Sequence, residues 1–467
     1  MSHDGGYLPQ WIARWVSMHE LEEWGVSRAL ILGIVFFGLY FTLSHLIPNL
    51  PLFTFNWLVG TAPLWLPVGL WMAFWSSWVT YGQSLYLSGR RPILLEMKVP
   101  RDIMKSPRAM EHVFSSFSLS SGESSFIHRG WNLQVRPFFS FEIASFGGDV
   151  HFYIWCWRDY KPTVEAAIYG QYPEVELIEV EDYATRFRYD PDVHTAWGVE
   201  WPLTSKLMGM GDFRINAYPL KTYIDFELDK DPKEEFKIDP LAQILEFMSS
   251  IKPTEQLWVQ IVIRKCGGKG NVLSPYDEEA KWVSTIKSEV EKIRKKSAVK
   301  PTGEHVADFP DPEEVIDAGF PHPTERQKYQ LITMERHLGK YPFETGMRGI
   351  YWTEEGLSGP VSTGFRWMWR PFGNPNYMTQ LRPRRWHCDF DFPWQDFHDI
   401  RWVNQTRRVH DAFRRRLFFH SPWKIPTNIL TNETLASLWH PPSRTVMAPG
   451  IERIAATKAS PPANLPK

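Results

Sequence analysis

The hydrophobic pattern divides the chain near residue 90. From Ala29 to Gly89 run 61 residues without a single Asp, Glu, Lys or Arg. Within that span, Ala29 to Ile47 supplies about the roughly 20 apolar residues that cross a hydrocarbon core. "PNLP" at 48–51 reads as a break. Leu64 to Leu87 supplies a second apolar stretch in which Pro67 falls near the start and is tolerated. The two stretches predict a transmembrane hairpin over 28–89; the alternative is a buried helical pair in a large soluble core. Ahead of it, residues 1–27 place Trp11, Ile12, Trp15 and Val16 on one helical side. This predicts a helix lying in the membrane interface or docked on the folded part.

Beyond residue 90 the periods become those of an α+β protein. "PILLEMKVP" (92–100) reads as a strand, and "SPRAMEHVFSSF" (106–117) as a helix with a Ser cap, a first-turn Pro, and Met110, Val113, Phe114 and Phe117 at helical spacing. Residues 136–146 and 149–158 flank a Gly147-Gly148 turn and predict a hairpin. A helix over 161–172 and an alternating strand over 174–183 complete the order β-α-β-β-α-β, the ferredoxin-like plan. A related plan recurs with a strand over 214–229, a helix over 239–251 and a strand over 255–265, then a capped helix and a strand within 324–356. Residues 274–298 between them read as a charged helix, and 299–323 as a Pro- and acid-rich loop. The expected organisation is an interfacial segment (1–27), the hairpin (28–89), one ferredoxin-like module (90–200), a second (201–356) with a charged helical insertion at 266–323, and an Arg/aromatic-rich segment with a Pro-rich tail (357–467).

Charge adds an orientation. Arg14 and Arg28 precede the first apolar stretch, while Arg90, Arg91, Lys98, Arg101, Lys105 and Arg108 follow the second. Both ends are expected in the cytoplasm, with Trp11, Trp15, Arg28, Arg90 and Arg91 at the membrane interface. The net charge of −1 averages unlike segments and discriminates little. Three separated cysteines suggest no disulfide framework.

The chain lacks the motifs of several chemistries. Gly268-Lys269 and Gly339-Lys340 are followed by Gly270 and Tyr341, so neither offers the hydroxyl of a phosphate-binding loop. G-x-S-x-G, H-E-x-x-H and paired C-x-x-C are absent. The chain is therefore read as a non-enzyme that needs no cofactor, with an unrecognised catalytic site as a minor alternative. His387, Cys388, Asp389, Asp391 and His398 match no tetrahedral spacing, and Asp225, Glu227, Asp229 and Asp231 read as a solvated strand end rather than a metal site. The most suggestive composition is 364–424, with eleven Arg, one Lys and five Asp (12 − 5 = +7) interleaved with fifteen aromatic residues. Arg384, Arg385, Arg407, Arg408, Arg414, Arg415 and Arg416 are the binding candidates. Three readings stay open: nucleic acid, an acidic protein or lipid head groups, and internal pairing.

Four stretches together resemble one family: "RPILLEMKVPRDIMKSPRAMEHVF", "HFYIWCWRDYKPTVEAAIYGQYPEVELIEVEDY", "DPLAQILEFMSSIKPTEQLWVQIVIR" and "NETLASLWHPPSRTVMAPGIERIAATKASPPANLP". They are similar to the membrane-anchored N-terminal region of bacterial conjugative DNA-transfer proteins of the type IV secretion class, over most of Arg91 to Lys467. In that family a motor ATPase domain follows a segment like "PPANLP" (461–466), and this chain ends there. The resemblance implies a bacterial inner-membrane scaffold or adaptor subunit without catalytic residues, oligomeric with itself or with other subunits. Its implied partners are membrane lipid, a separately encoded motor ATPase and, in the alternative reading, DNA.

Overall fold

A computed structural model describes residues 28–100, 105–119, 127–206, 212–230, 239–267, 278–297, 323–385, 396–420, 422–442, 450 and 453–454. The interfacial segment with Trp11 and Trp15, residues 299–322 of the loop expected at 299–323, and His387, Cys388, Asp389 and Asp391 lie outside these residues.

Two helices begin the described chain, α1 (Arg28–Leu46) and α2 (Leu50–Ser88). α2 differs from expectation. It starts at Leu50 rather than near residue 64, because Pro51 falls at its second position, where the missing N–H costs no intrahelical bond. Pro63 and Pro67 then lie inside a continuous 39-residue helix. By length and composition α2 is fit to cross a membrane, whereas the apolar part of α1 is the shorter Gly33–Leu46. A Tyr40–Thr54 hydroxyl contact of 2.9 Å joins them. Only Gly89, Arg90 and Arg91 separate α2 from the sheet.

The sheet follows in two runs. The first is β1 (Pro92–Pro100), α3 (Pro107–Ser116), β2 (Phe138–Phe146), β3 (Asp149–Trp157), α4 (Lys161–Gln171) and β4 (Glu176–Val180), followed by the short α5 (Tyr183–Arg186). The second is β5 (Thr195–Glu200), β6 (Leu203–Ser205), α6 (Pro240–Ser249), β7 (Glu255–Lys265), α7 (Glu278–Lys296), α8 (Glu325–Leu338), β8 (Pro342–Thr353), α9 (Gly359–Trp367), β9 (Thr379–Leu381) and β10 (Arg384–Arg385). Then come α10 (Ile400–Arg414), β11 (Asn428–Thr431), α11 (Asn432–Leu438) and β12 (Arg453–Ile454).

Strand order in space is β4-β1-β3-β2 in the first run and β10-β5-β8-β7 in the second, every neighbour antiparallel. β2 and β7 join the runs through nine register pairs, from Phe138↔Arg264 to Phe146↔Gln256, so one antiparallel sheet spans both. β11 pairs with the start of β8, β12 runs parallel to the end of β1, and β6 and β9 form a separate two-stranded sheet.

Local chemistry explains the elements. Ser106 caps α3, and Met110, Val113, Phe114 and Phe117 bury against Phe139 and Phe141; each such side chain is worth about 1.5–3 kcal/mol. Gly147 and Gly148 take φ +61° and +101°, the left-handed pair that a two-residue hairpin demands. Thr324 and Gln327 form a capping box that starts α8. Alternate positions on the central strands supply two apolar layers. One is covered by α3, α4, α6, α9 and α11, the other by α10 and the chain up to Ile425.

The strand expected over 214–229 does not form. Residues 213–217 are a 3-10 turn and 223–230 a series of turns. Pro219 supplies no ladder donor, and Glu227 stands at φ +58°, outside strand space. Its place in the sheet is taken by β5, whose Thr195–Glu200 pairs with Thr353–Arg348 of β8. α7, in the insertion, and α8, just after it, bury Trp282, Ile286 and Met334 in a third, smaller cluster.

Candidate functional site

The arginine segment divides into a buried anchor and an exposed stripe. The anchor starts from three polar residues inside apolar strands: Glu142 in β2, its register partner Gln260 in β7, and Arg348 opposite Gln260 in β8. All three are fully buried, and a buried charge or amide without partners is costly.

The partners come from the end of α10. Arg416, 0% exposed, grips Glu142 bidentately at 2.9 and 3.0 Å, and also contacts Asp182 and the Arg414 carbonyl. Glu142 accepts further hydrogen bonds from Ser140 (2.7 Å), Tyr183 (2.7 Å) and Gln260 (3.0 Å). Arg348 donates to Gln260, to the Leu417 carbonyl and to the Ala412 carbonyl, each at 2.7 Å, so a cation meets the carbonyl end of α10. Burial alone would pull the Arg416 guanidinium down. The charges of Glu142 and Asp182 more than offset this and hold it above its ordinary value. Burial pushes the Arg348 guanidinium down to about 9, against the pull of Glu200 and Glu142, and drives the Tyr183 hydroxyl well up with Glu142 adding to the effect.

The backbone at Arg416 is also unusual. Leu417 N–H donates to Ala412 (2.9 Å) and Arg416 N–H to Phe413 (3.1 Å), the paired bonds of a Schellman C-cap. Arg416 therefore occupies the left-handed position, φ +53°, that glycine ordinarily takes. A residue with a Cβ stays there because its guanidinium is held by two carboxylates. Arg416 was one of the seven binding candidates with internal pairing left open, and at this position the pairing is internal, to Glu142 and Asp182.

The other candidates lie elsewhere. Arg407, Arg408 and Arg414 on α10 and Arg415 at its C-cap are exposed, while the opposite side of the helix buries Thr406, Val409, Ala412 and Phe413. Arg401, Arg408 and Arg415 recur every seven residues along the outer face. Arg414 and Arg415 both reach Asp411, at 3.0 and 2.9 Å, in surface contacts of small value. Arg384 and Arg385 form β10 beside Glu200 and Val199, with Arg384 exposed. At the junction between α2 and β1, Arg90 binds Asp159 (2.8 Å) and Tyr86 (2.5 Å) and lies over the Trp157 ring, while Arg91 is exposed. Arg28 begins α1.

A second charged group links four distant stretches. Asp225, Arg336, Glu433, Lys340 and Glu111 alternate in sign, with successive separations of 3.6, 3.2, 3.3 and 2.6 Å. Asp225 and Arg336 of this group line a groove of about 400 Å³ together with Lys221, Glu227, Lys230 and Tyr329. Asp225 and Glu227 thus serve separate ion pairs, to Arg336 and to Lys230, and do not share a strand face. Among the described residues no group of three His, Cys, Asp or Glu side chains is placed to hold a metal ion.

Sequence reasoning passed over Glu142, Asp182, Tyr183, Gln260 and Arg348. For Glu142, Gln260 and Arg348 the signal was present: "FFSFEIASF", "LWVQIVI" and "GMRGIYW" each put one strongly polar residue in an otherwise apolar strand, which demands a buried partner. Comparison with known protein families, with curated proteins and with solved structures gave no match to this chain.

Proposed function

We propose that the chain is a non-catalytic membrane scaffold or adaptor of a type IV secretion-like DNA-transfer machine. It sits in a bacterial inner membrane with both termini and the folded part in the cytoplasm, where it docks a separately encoded motor ATPase. The observation that carries this reading is the three-residue junction between α2 and β1, clamped by Arg90 on Tyr86 and Asp159. A membrane-crossing helix joined stiffly to a wide sheet transmits position, which is what a scaffold needs. The β-α-β-β-α-β order with spatial order β4-β1-β3-β2, and its counterpart β10-β5-β8-β7, support tandem ferredoxin-like modules placed back to back. The stretches that carry the family resemblance fall on structural junctions: β1 with α3, β3 through β4, α6 with β7, and α11, all of whose residues are buried.

The docking face is the outer side of α10, where Arg407 and Arg408 are exposed while Arg348 and Arg416 hold the helix down from beneath. The test is purification of the full chain from detergent-solubilised host membranes with identification of what accompanies it. A motor ATPase that accompanies the wild type and is lost with Arg407→Glu/Arg408→Glu supports the reading. DNA in place of a motor favours the second reading, a membrane-tethered nucleic-acid binder, which the seven-residue recurrence of Arg401, Arg408 and Arg415 supports.

A further inference from the structure

α2 is longer than a bilayer requires. Its 39 residues make a rod of about 58 Å, whereas a bilayer with both headgroup layers is about 40–45 Å thick. The surplus lies at the end joined to the sheet, where the folded part already covers the helix. Tyr86 and Leu87 pack against the second apolar layer. Trp131 lies over Trp78 with ring centroids 5.7 Å apart, and Leu133 presses so closely on Gly82 that a Cβ there would stand 2.0 Å from its Cδ1. Trp78 lies about 42 Å along α2 from Leu50. Protein cover therefore begins where the thickness of the membrane ends.

The covering segment is a turn of π-helix, Ile127–Trp131, running into Leu133. Leu133 is 2% exposed and held at φ +48°, so the segment is firmly seated. Ile127 and Trp131 nonetheless stand 60% and 70% exposed, Trp131 beside the apolar α2. Tryptophan partitions to the headgroup level because its ring is apolar and its N–H polar, and an apolar face at that depth gains area shielded from water.

We propose that residues 127–133 form a membrane-interface foot: Ile127 and Trp131 seat in the boundary between headgroups and acyl chains of the bilayer that α2 crosses, and set the depth and tilt of that helix. The inference rests on the reading of α2 as a span. Its occupant is lipid, because Trp131 adjoins α2 at the level where the membrane's thickness is used up and Ile127 stands exposed on the same turn.

The full chain with Cys388→Ser, in which Cys156 and Cys266 are buried, is given one labelled cysteine at a time and reconstituted in phosphatidylcholine/phosphatidylglycerol vesicles. Trp131→Cys and Ile127→Cys report the foot independently, Leu64→Cys reports the span, and Phe397→Cys, exposed but away from α2, is the aqueous control. A fluorescent label is challenged with nitroxides at the headgroup, shallow acyl and deep acyl positions. The proposal expects labels at 127 and 131 to lose fluorescence most to headgroup and shallow nitroxides, 64 most to the deep nitroxide, and 397 to none. If 64 escapes quenching, the span reading fails. If 64 is quenched while 127 and 131 behave like 397, the foot alone is overturned. Shielding of 127 and 131 that grows with protein density and ignores lipid nitroxides assigns the site to a second copy and also overturns it.

Discussion

Replacing Arg416 with Met tests the anchor directly. The substitution keeps length and apolar bulk but leaves Glu142, 0% exposed, without its bidentate partner. Breaking a fully buried pair from one side costs about 3–5 kcal/mol, because the remaining charge is stranded. Ser140, Tyr183 and Gln260 still donate to Glu142, which places the loss toward the lower end of that range. Arg416→Gly removes the same cation but also relieves a left-handed residue, a strain of about 1–3 kcal/mol, so it should destabilise less than Met despite losing more side chain. The double variant Glu142→Leu/Arg416→Met removes both charges but leaves the Ser140, Tyr183 and Gln260 donors without that acceptor, so it should recover only part of the loss. Urea unfolding of the full chain in detergent, followed by tryptophan fluorescence, reads all three. A loss below about 1 kcal/mol for Arg416→Met, or a Gly variant weaker than the Met variant, would refute the reasoning.

Three further outcomes follow from the structure. Burial holds His337 neutral, its folded value down at about 3; the unfolded imidazole binds protons below its usual value of about 6.5, so stability should fall as pH drops from that point towards 3, and His337→Leu should flatten the slope in pH-dependent unfolding. Asp239, penalised by burial but held below its ordinary value by His440 at 3.0 Å, contributes stability that is present above the unfolded carboxyl value and lost as pH falls through the folded one; His440→Gln should shift the acid midpoint of unfolding upward. Gly82→Val should displace Leu133 and separate Trp131 from Trp78, seen as faster hydrogen exchange at 127–135, and unchanged exchange there would count against the close packing.

Much of the sheet was legible because its strands obey simple rules. "PILLEMKVP" and "EQLWVQIVIRK" are apolar runs bounded by polar or turn residues, and they are β1 and β7 to the residue. α3 was legible from its cap and its 3.6-residue period. β5 was missed because "TAWGVE" is short, carries a glycine and lacks alternation, whereas 214–229 alternates convincingly but is bent by Pro219 and packed by tertiary contacts such as Tyr218 to Glu289 (2.6 Å). At the site, composition identified the arginine-rich segment. It could not separate Arg416 from Arg414 and Arg415, because the difference arises from a C-cap that turns one side chain inward and leaves two in solvent.

The claim that α10 is a docking face for a motor ATPase is tested most directly by a photo-crosslinking amino acid placed at Arg408, with a second at Lys296 on α7 as a control, in cells carrying the native membrane system. The account predicts a crosslink from position 408 to a motor ATPase that is absent from 296 and lost when Arg407 is changed to Glu. A crosslink to DNA, or none from 408 while the chain remains folded in the membrane, would contradict it.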